Sequence, residues 1–343
     1  MRLTPSDILC CPPPLFHCFG LVLGLMSVLT HGAKIVYPAE VFDAPATLAA
    51  LLSEHCTALH GVPAMFDSLL ALPEARHLRA EQLRLRTGIV AGAPVPRYLM
   101  ELMVSRLGMA EFTSSYGLTE ASPTCFNAFT DDPIHTRLTT VGSLMPHAMA
   151  KIVDRDGAVV PVGEKGELCI GGYQLQAGYW NNSEKTGEVM VRDEQGVLWL
   201  HTGDEAVFDE RGYCSITGRF KDIIIRGGEN IYPLEIEERL VAHPAIGMAV
   251  VVGLKDARLG EVVGAFLEVD GGHGEKQRPG VEEVREWVRR KLGKHKAPTH
   301  VFWLGVDGVP SAVPLTGSGK VRKFEMAQVG NKLLEAEASK AKL

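Results

Sequence analysis

The chain has 343 residues, 46% of them hydrophobic and 22% charged, and a net charge of −6. That length holds roughly two domains with real cores. The negative balance argues against a general nucleic-acid binder and against an anchor on an anionic membrane. Seven cysteines are scattered, with no CxxC pair and no His–Cys spacing typical of zinc. Such a pattern reads as reduced thiols in an intracellular compartment. Pro5 and Asp7 interrupt any signal-peptide pattern at the N-terminus.

In chain order, prolines 12–14 force an extended entry, and the apolar run 19–29, too short to span a bilayer, predicts a helix packed inside. Residues 33–37 predict a strand closed by Pro38. Leu48, Leu51, Leu52 and His55 recur at helical spacing over 47–59. Residues 59–63 read as a strand end turning into a helix over 65–72. A strand over 85–90 runs into Gly92-Ala93-Pro94, and a helix over 97–107 follows. This alternation implies an α/β fold with a mostly parallel sheet. From about residue 140 the pattern changes to short strands and turns, with a hairpin signal at 151–157 and a strand at 166–172, a compact β unit that leans on the preceding sheet.

Residues 201–238 read as a hairpin, a polar joint, a short apolar strand, a glycine turn and a helix start. Asp209-Glu210-Arg211-Gly212 is the hairpin turn. Gly218-Arg219-Phe220-Lys221-Asp222 interrupts the apolar pattern, residues 223–225 form a buried strand run, and Gly227-Gly228 ends it. Pro233 opens a helix with Glu235, Glu237 and Glu238 near its start. A smaller α+β unit follows, with strands over 248–252, 265–270 and 301–304. An amphipathic helix over 281–292 places Val281, Val284, Val288 and Leu292 on one face. From residue 332 an Ala/Glu/Lys-rich tail predicts a fraying helix.

The stretch 201–238 resembles the adenylate-forming (AMP-binding) superfamily, in its fatty acyl-CoA synthetase branch. Ser115-Tyr116-Gly117-Leu118-Thr119-Glu120 is similar to that family's adenylate motif. The resemblance implies an α/β large domain over 1–217 (α/β over 1–139, then a β-rich, barrel-like subdomain over 140–217). A small mobile α+β lid domain over 218–330 and a tail over 331–343 would follow. It also implies roles. Tyr116 would lie against adenine, flanked by Ser115 and Gly117, with Thr119 on phosphate and Glu120 on Mg²⁺. Asp204 would accept from the ribose hydroxyls and Arg219 would reach ribose or phosphate. Gly92, Ala93 and Pro94 would border adenine, although a plain tight turn reads equally well. In Pro14-Leu15-Phe16-His17 the histidine would guard the carboxylate end of an acyl site walled by residues 61–66. Locally, a structural histidine and ordinary core are the simpler readings.

Lys221 resembles the hinge residue between the domains, and Gly227 and Gly228 would border a pantetheine channel. The stretch 314–323 is not a P-loop, because Pro314 and Val321 stand where that motif needs Gly and Ser or Thr. It resembles the family's C-terminal lysine loop, in which Lys320 neutralises charge as a carboxylate attacks the α-phosphate. Its lead-in, 305–313, is longer and more irregular than usual.

The implied reaction joins a fatty or pathway-specific carboxylic acid to coenzyme A at the expense of ATP, through an acyl adenylate. Two alternatives stand beside it. One is a catalytically impaired remnant that binds ligands or a subunit. The other is an enzyme loading a carrier-protein thiol. The family's phosphate loop is not found in residues 1–16, so the resemblance covers the C-terminal three-fifths of a full synthetase. Weak pyrophosphate handling and exposed apolar surface are expected from that. Ala341-Lys342-Leu343 resembles a peroxisomal address read by an import receptor; a frayed helix end is the other reading.

Overall fold

The computed structural model describes the chain except residues 77, 93, 94, 96, 271–277, 317–319 and 341–343. It forms two compact units, Met1–Ile216 and Thr217–Leu343.

The first unit is built on one large mixed sheet. Strands β1 (Ile8–Cys10), β2 (Lys34–Val36), β3 (Ala58–Leu59), β4 (Thr87–Ala91) and β5 (Glu111–Gly117) pair in parallel, in the order β2-β1-β3-β4-β5. β4 is buried throughout, as a parallel strand covered on both faces should be. The covering core joins Leu48 and Leu51, Phe66 and Leu69, and Leu99 and Met103 to Val90 and Phe112. Asp43 starts the helix Ala44–Ser53 by accepting from the Ala46 N–H at 2.7 Å, with proline in the first turn. The helix ends earlier than its apolar spacing suggested. His55 has a positive φ of 53°, and the chain then extends into β3.

The run 19–29 is helical, as wide turns over Phe19–Met26 followed by Ser27–His31. It is not packed inside on all sides. Phe19, Gly20, Gly24 and Val28 are buried, whereas Leu21, Met26 and Leu29 are exposed. An amphipathic helix at the surface buries only the stripe that meets the sheet, here Phe19 beside Ile89 and Ala91. Phe16 and Val41 are exposed nearby in the chain.

The β-rich half is hydrogen-bonded edge to edge with the parallel part. The added strands are β6 (Thr124–Asn127), β7 (Gly142–Leu144), β8 (Ala148–Val153), β9 (Gly166–Gly172), β10 (Met190–Arg192), β11 (Leu198–Phe208) and β12 (Tyr213–Arg219). The order runs on from β5 as β6-β7-β12-β11-β9-β8, with β10 on β11. Pairing turns antiparallel at β5–β6. Phe126, Ile152, Leu168, Ile170, Leu200 and Cys214 form its core.

A buried arginine ties the two halves. Arg137 donates to the carbonyls of Ala110, Phe112 and Asp132 at 2.8, 2.9 and 3.0 Å, with its guanidinium 5.1 Å from the Phe112 ring centroid.

The second unit holds a five-stranded sheet of β13 (Ile224–Arg226), β14 (Glu229–Ile231), β15 (Ile246–Asp256), β16 (Gly260–Val269) and β17 (His300–Trp303). Its core includes Ile224, Ile231, Ile236, Val251, Val284 and Val288. The glycine turn leads into β14 before the helix Pro233–Val241 begins. Ile223 and Ile224 are buried but Ile225 is 53% exposed, so the run 223–225 is buried only in part, and the strand begins at Ile224. The helix Lys323–Lys340 runs through residue 331, where the sequence suggested a separate tail. Leu333 and Leu334 pack on the core around Phe266, and Asn331 Oδ1 accepts from the Lys255 N–H at 2.9 Å. Among the described residues no helix is long and apolar enough to cross a membrane.

Candidate functional site

β4 and β5 end side by side, with Ala91 opposite Ser115. Gly92 and Ser115–Gly117 therefore lie at one carboxyl end of the parallel strands. Open α/β sheets bind ligands outside the carboxyl ends of their strands, and β5 is also the strand at which pairing turns antiparallel. Ala93 and Pro94 lie outside the described residues. Glycine is required at position 117, since a Cβ there would sit 1.8 Å from the Pro123 carbonyl oxygen.

The chain then makes the short turn Thr119–Ala121. Tyr179 donates its hydroxyl to Glu120 Oε1 at 2.7 Å, and the Gln176 N–H donates to the Glu120 carbonyl at 2.9 Å. Burial, aided by the Glu120 carboxylate, pushes the Tyr179 phenol up to about 12. Cys18 Sγ lies 3.7 Å from Thr119 Oγ1, which brings the segment of His17 alongside this turn. His17 Nδ1 accepts from the Phe19 N–H at 3.1 Å, so one ring nitrogen is engaged at the start of its own helix. Gly61, Met65 and Phe66 line a small cavity with Phe42 and His60.

Asp204 reaches the same end of the sheet from β11. Its side chain is buried, and Tyr116 donates its hydroxyl to Asp204 Oδ2 at 2.6 Å. Burial first, and the Asp204 charge second, hold the Tyr116 phenol well above its ordinary range. The register of β11 on β9 shifts between His201 and Glu205, a bulge that carries Thr202, Gly203 and Asp204. Thr202 Oγ1 accepts from the Asp204 N–H at 3.1 Å and donates to the Leu168 carbonyl at 2.7 Å. An oriented carboxylate of this kind can accept from a diol, and one beside a hydroxyl-bearing turn can help hold a metal-bound phosphate.

The fit extends to a donor. Gln176 Nε2 is buried and has no hydrogen-bond partner among the described residues, although its own backbone is bonded to Glu120. A buried amide left so invites an acceptor from outside the chain. Sequence reasoning missed Gln176 and Tyr179. Neither lies in the adenylate motif, and only the meeting of their loop with Glu120 marks them. It also assigned Tyr116 through its ring alone, whereas its hydroxyl holds Asp204.

In the second unit, Arg219 ends β12, and its carbonyl accepts from the N–H groups of Asp222 and Ile223 at 2.9 and 3.1 Å. Lys221 sits in this tight turn. Gly227 and Gly228 have positive φ of 59° and 88°, the pair a two-residue hairpin turn needs. Lys320 closes a small loop. Its N–H donates to Thr316 Oγ1 at 3.0 Å, its carbonyl accepts from the Thr316 N–H at 2.8 Å, and Leu315 bridges Val321. The tail residues 341–343 lie outside the described residues.

The model of the AMP-binding enzyme family matches residues 1–180, and that of the AMP-binding enzyme C-terminal domain matches residues 235–320. An acyl-CoA ligase, sidI, of Beauveria bassiana is 74% identical over the whole chain, which covers 59% of that protein. The sidI acyl-CoA ligase of Aspergillus fumigatus is 61% identical over 99% of the chain and 57% of its own length. The chain thus spans about three-fifths of the length of these curated relatives. Among solved structures, ATP-bound MatB from Rhodopseudomonas palustris superposes with a TM-score of 0.83 at 28% identity, over 96% of this chain and 61% of that one. The anthranilate CoA ligase AuaEII, in complex with anthranoyl-AMP, gives 0.83 at 25% identity, over 98% and 62%. The chain belongs to the AMP-binding enzyme family.

Proposed function

We propose that this chain carries out, or forms the greater part of an enzyme that carries out, acid–thiol ligation. A carboxylic acid attacks the α-phosphate of ATP to give an acyl adenylate and pyrophosphate. The thiol of coenzyme A then attacks the acyl carbon and AMP leaves. The observation that carries this reading is the gathering of Tyr116, Thr119, Glu120 and Asp204 at one end of β5, with Asp204 fixed by Tyr116. In this reading Asp204 accepts from the ribose hydroxyls and Tyr116 forms the adenine wall. Glu120 holds Mg²⁺ on the phosphates with Thr119 beside it. His17 borders the acyl carboxylate, and Lys320 supplies the positive charge of the adenylation step. The names of the sidI relatives support the thioester half of the reaction, and the ATP-bound neighbour supports the nucleotide.

Pyrophosphate exchange with purified, folded 343-residue chain tests the first step, using a panel of short, medium and branched carboxylic acids. Acid-dependent label in ATP, followed by CoA-dependent thioester, is the expected result. No exchange with any acid sinks the reading for this chain. Exchange without CoA turnover, with acyl transfer to a carrier-protein thiol instead, replaces the second step.

A further inference from the structure

On the β9–β11 ladder, beside the bulge that carries Asp204, three side chains of different chemistry converge. His201 stands directly opposite Cys169 in the register, and Glu167 is two residues before Cys169, on the same face of β9. One ligating atom from each of Glu167, Cys169 and His201 lies within 4.8 Å of the others. Cys169 Sγ is 3.6 Å from His201 Nδ1, and His201 Nδ1 is 2.8 Å from Glu167 Oε2. Cys169 is buried, while Glu167 and His201 keep about a quarter to a third of their side chains open to solvent (26% and 30%).

Two arrangements could explain such a cluster. A catalytic cysteine relay needs the thiol on one ring nitrogen and the acid on the other, so that the acid orients the base. Here both approach Nδ1, so a relay is not formed. A tetrahedral metal asks for something else, three donors turned toward one point. With Zn–S about 2.3 Å and Zn–N about 2.0 Å, tetrahedral angles put sulfur and nitrogen roughly 3.5 Å apart, which is the separation found. The Glu167 oxygen needs to draw back by about half an ångström from the imidazole to take its corner. The carboxylate is already steadied for this, because its other oxygen, Oε1, accepts the Gly203 N–H at 3.0 Å. Ligand carboxylates held by a backbone donor behind them are a recurring device of metal sites.

We propose that Glu167, Cys169 and His201 form a zinc-type divalent metal site, with water as the fourth ligand entering from the solvent side. Sulfur in the set excludes Mg²⁺ and Ca²⁺ and favours Zn²⁺. Loading converts the Cys169 thiol to a thiolate and leaves the imidazole neutral, with the displaced protons going to solvent. The site is separate from Glu120 and from the Mg²⁺ assigned there. It grips the bulge of β11 through His201 and through the Gly203 contact, so its occupancy stiffens the segment that carries Asp204. Sequence spacing hid it, since 32 residues separate Cys169 from His201.

The test is titration of the chelator-stripped full chain with Zn²⁺ by calorimetry and with Co²⁺ by absorption. One metal per chain is expected, with a thiolate-to-cobalt charge-transfer band in the near ultraviolet and the intense visible bands of tetrahedral cobalt. Cys169→Ser should remove the charge-transfer band, and Glu167→Gln, which keeps an acceptor for Gly203, should weaken Zn²⁺ at least tenfold with an unchanged circular dichroism spectrum. Cys18→Ser should change neither. Absence of binding by the folded wild-type chain overturns the proposal, and so does a charge-transfer band that follows Cys18 instead of Cys169. Neither result touches the acid–thiol ligase reading, which does not use this metal.

Discussion

The Tyr116 hydroxyl donates to Asp204 Oδ2 at 2.6 Å, although their strands stand four places apart in the sheet order β5-β6-β7-β12-β11. A flat sheet would hold them roughly 19 Å apart at about 4.8 Å per strand. The antiparallel part therefore curls back over the end of the parallel part, and this bond spans the curl. Tyr116→Phe keeps the ring and its packing near Phe126 but leaves a buried carboxylate without that donor. The expected effect is about a 10- to 100-fold loss of adenosine-nucleotide affinity, about 1.4–2.7 kcal/mol, with the fold retained. Calorimetric titration with ATP checks it; unchanged affinity would remove Tyr116 from the role of positioning Asp204.

Lys320→Ala should separate the two half-reactions. Acyl adenylate formation, followed by pyrophosphate release, should fall by two orders of magnitude or more, on the order of the loss of one charge-stabilising group. Thioester formation from preformed acyl adenylate should fall less than tenfold. Equal losses in both steps would refute that division.

Arg137 is the strongest structural prediction. Arg137→Met would strand three carbonyls that its guanidinium now satisfies, and should cost about 2–4 kcal/mol in urea unfolding. Arg137→Lys keeps the charge but not the planar fork, and should recover only part of it. A methionine variant as stable as wild type would show that water replaces the arginine there.

His60 makes a pH-dependent contribution whose sign is fixed by its bonds. Its Nδ1 accepts from the Ile89 N–H at 3.1 Å and its Nε2 lies 3.0 Å from the Leu23 carbonyl, so the ring is neutral with its proton on Nε2. Burial lowers its pKa from 6.5 to about 4. The unfolded chain therefore binds a proton that the folded chain refuses. This contribution is fully present above pH 6.5 and is lost as pH falls toward 4, up to about 3 kcal/mol. Asp67 opposes it in the same range, because burial raises its carboxyl from 3.8 to about 6. The measurement is thus the difference between wild type and His60→Gln in urea midpoints from pH 7.5 to 4.5. The difference should shrink as pH falls; parallel curves would deny His60 this role.

Much of the fold was legible because it rests on local patterns. The strand at β4 and the amphipathic helix Val281–Leu292 follow from apolar periodicity, and the Asp209–Gly212 turn from its own chemistry. Residues 115–120 and Asp204 stood out in the sequence, though not the bond between Tyr116 and Asp204. What escaped depends on register and curl. Periodicity gave the run 19–29 a helix but not the single stripe it buries. Ile225 faces away from the core that takes Ile224, the opposite side of a pleated strand, which a three-residue apolar run cannot announce. Tyr179, Gln176 and Arg137 earn their places through partners up to 59 residues away, such as Arg137 with Ala110 and Tyr179 with Glu120.

The curl of the sheet also has a consequence in time. The 88 residues between Tyr116 and Asp204 take about 4–18 s to synthesise at roughly 5–20 residues per second. Through that interval Tyr116 and Glu120 have been synthesised but Asp204, the partner of the Tyr116 hydroxyl, has not. The core around Phe126 is also incomplete in that interval, because its Ala206 and Cys214 come later, in β11 and β12. In the proposed reading nucleotide meets Asp204 only once β11 has emerged, so until then it is packing such as that around Phe112 and Val90, and not ligand, that steadies β4 and β5.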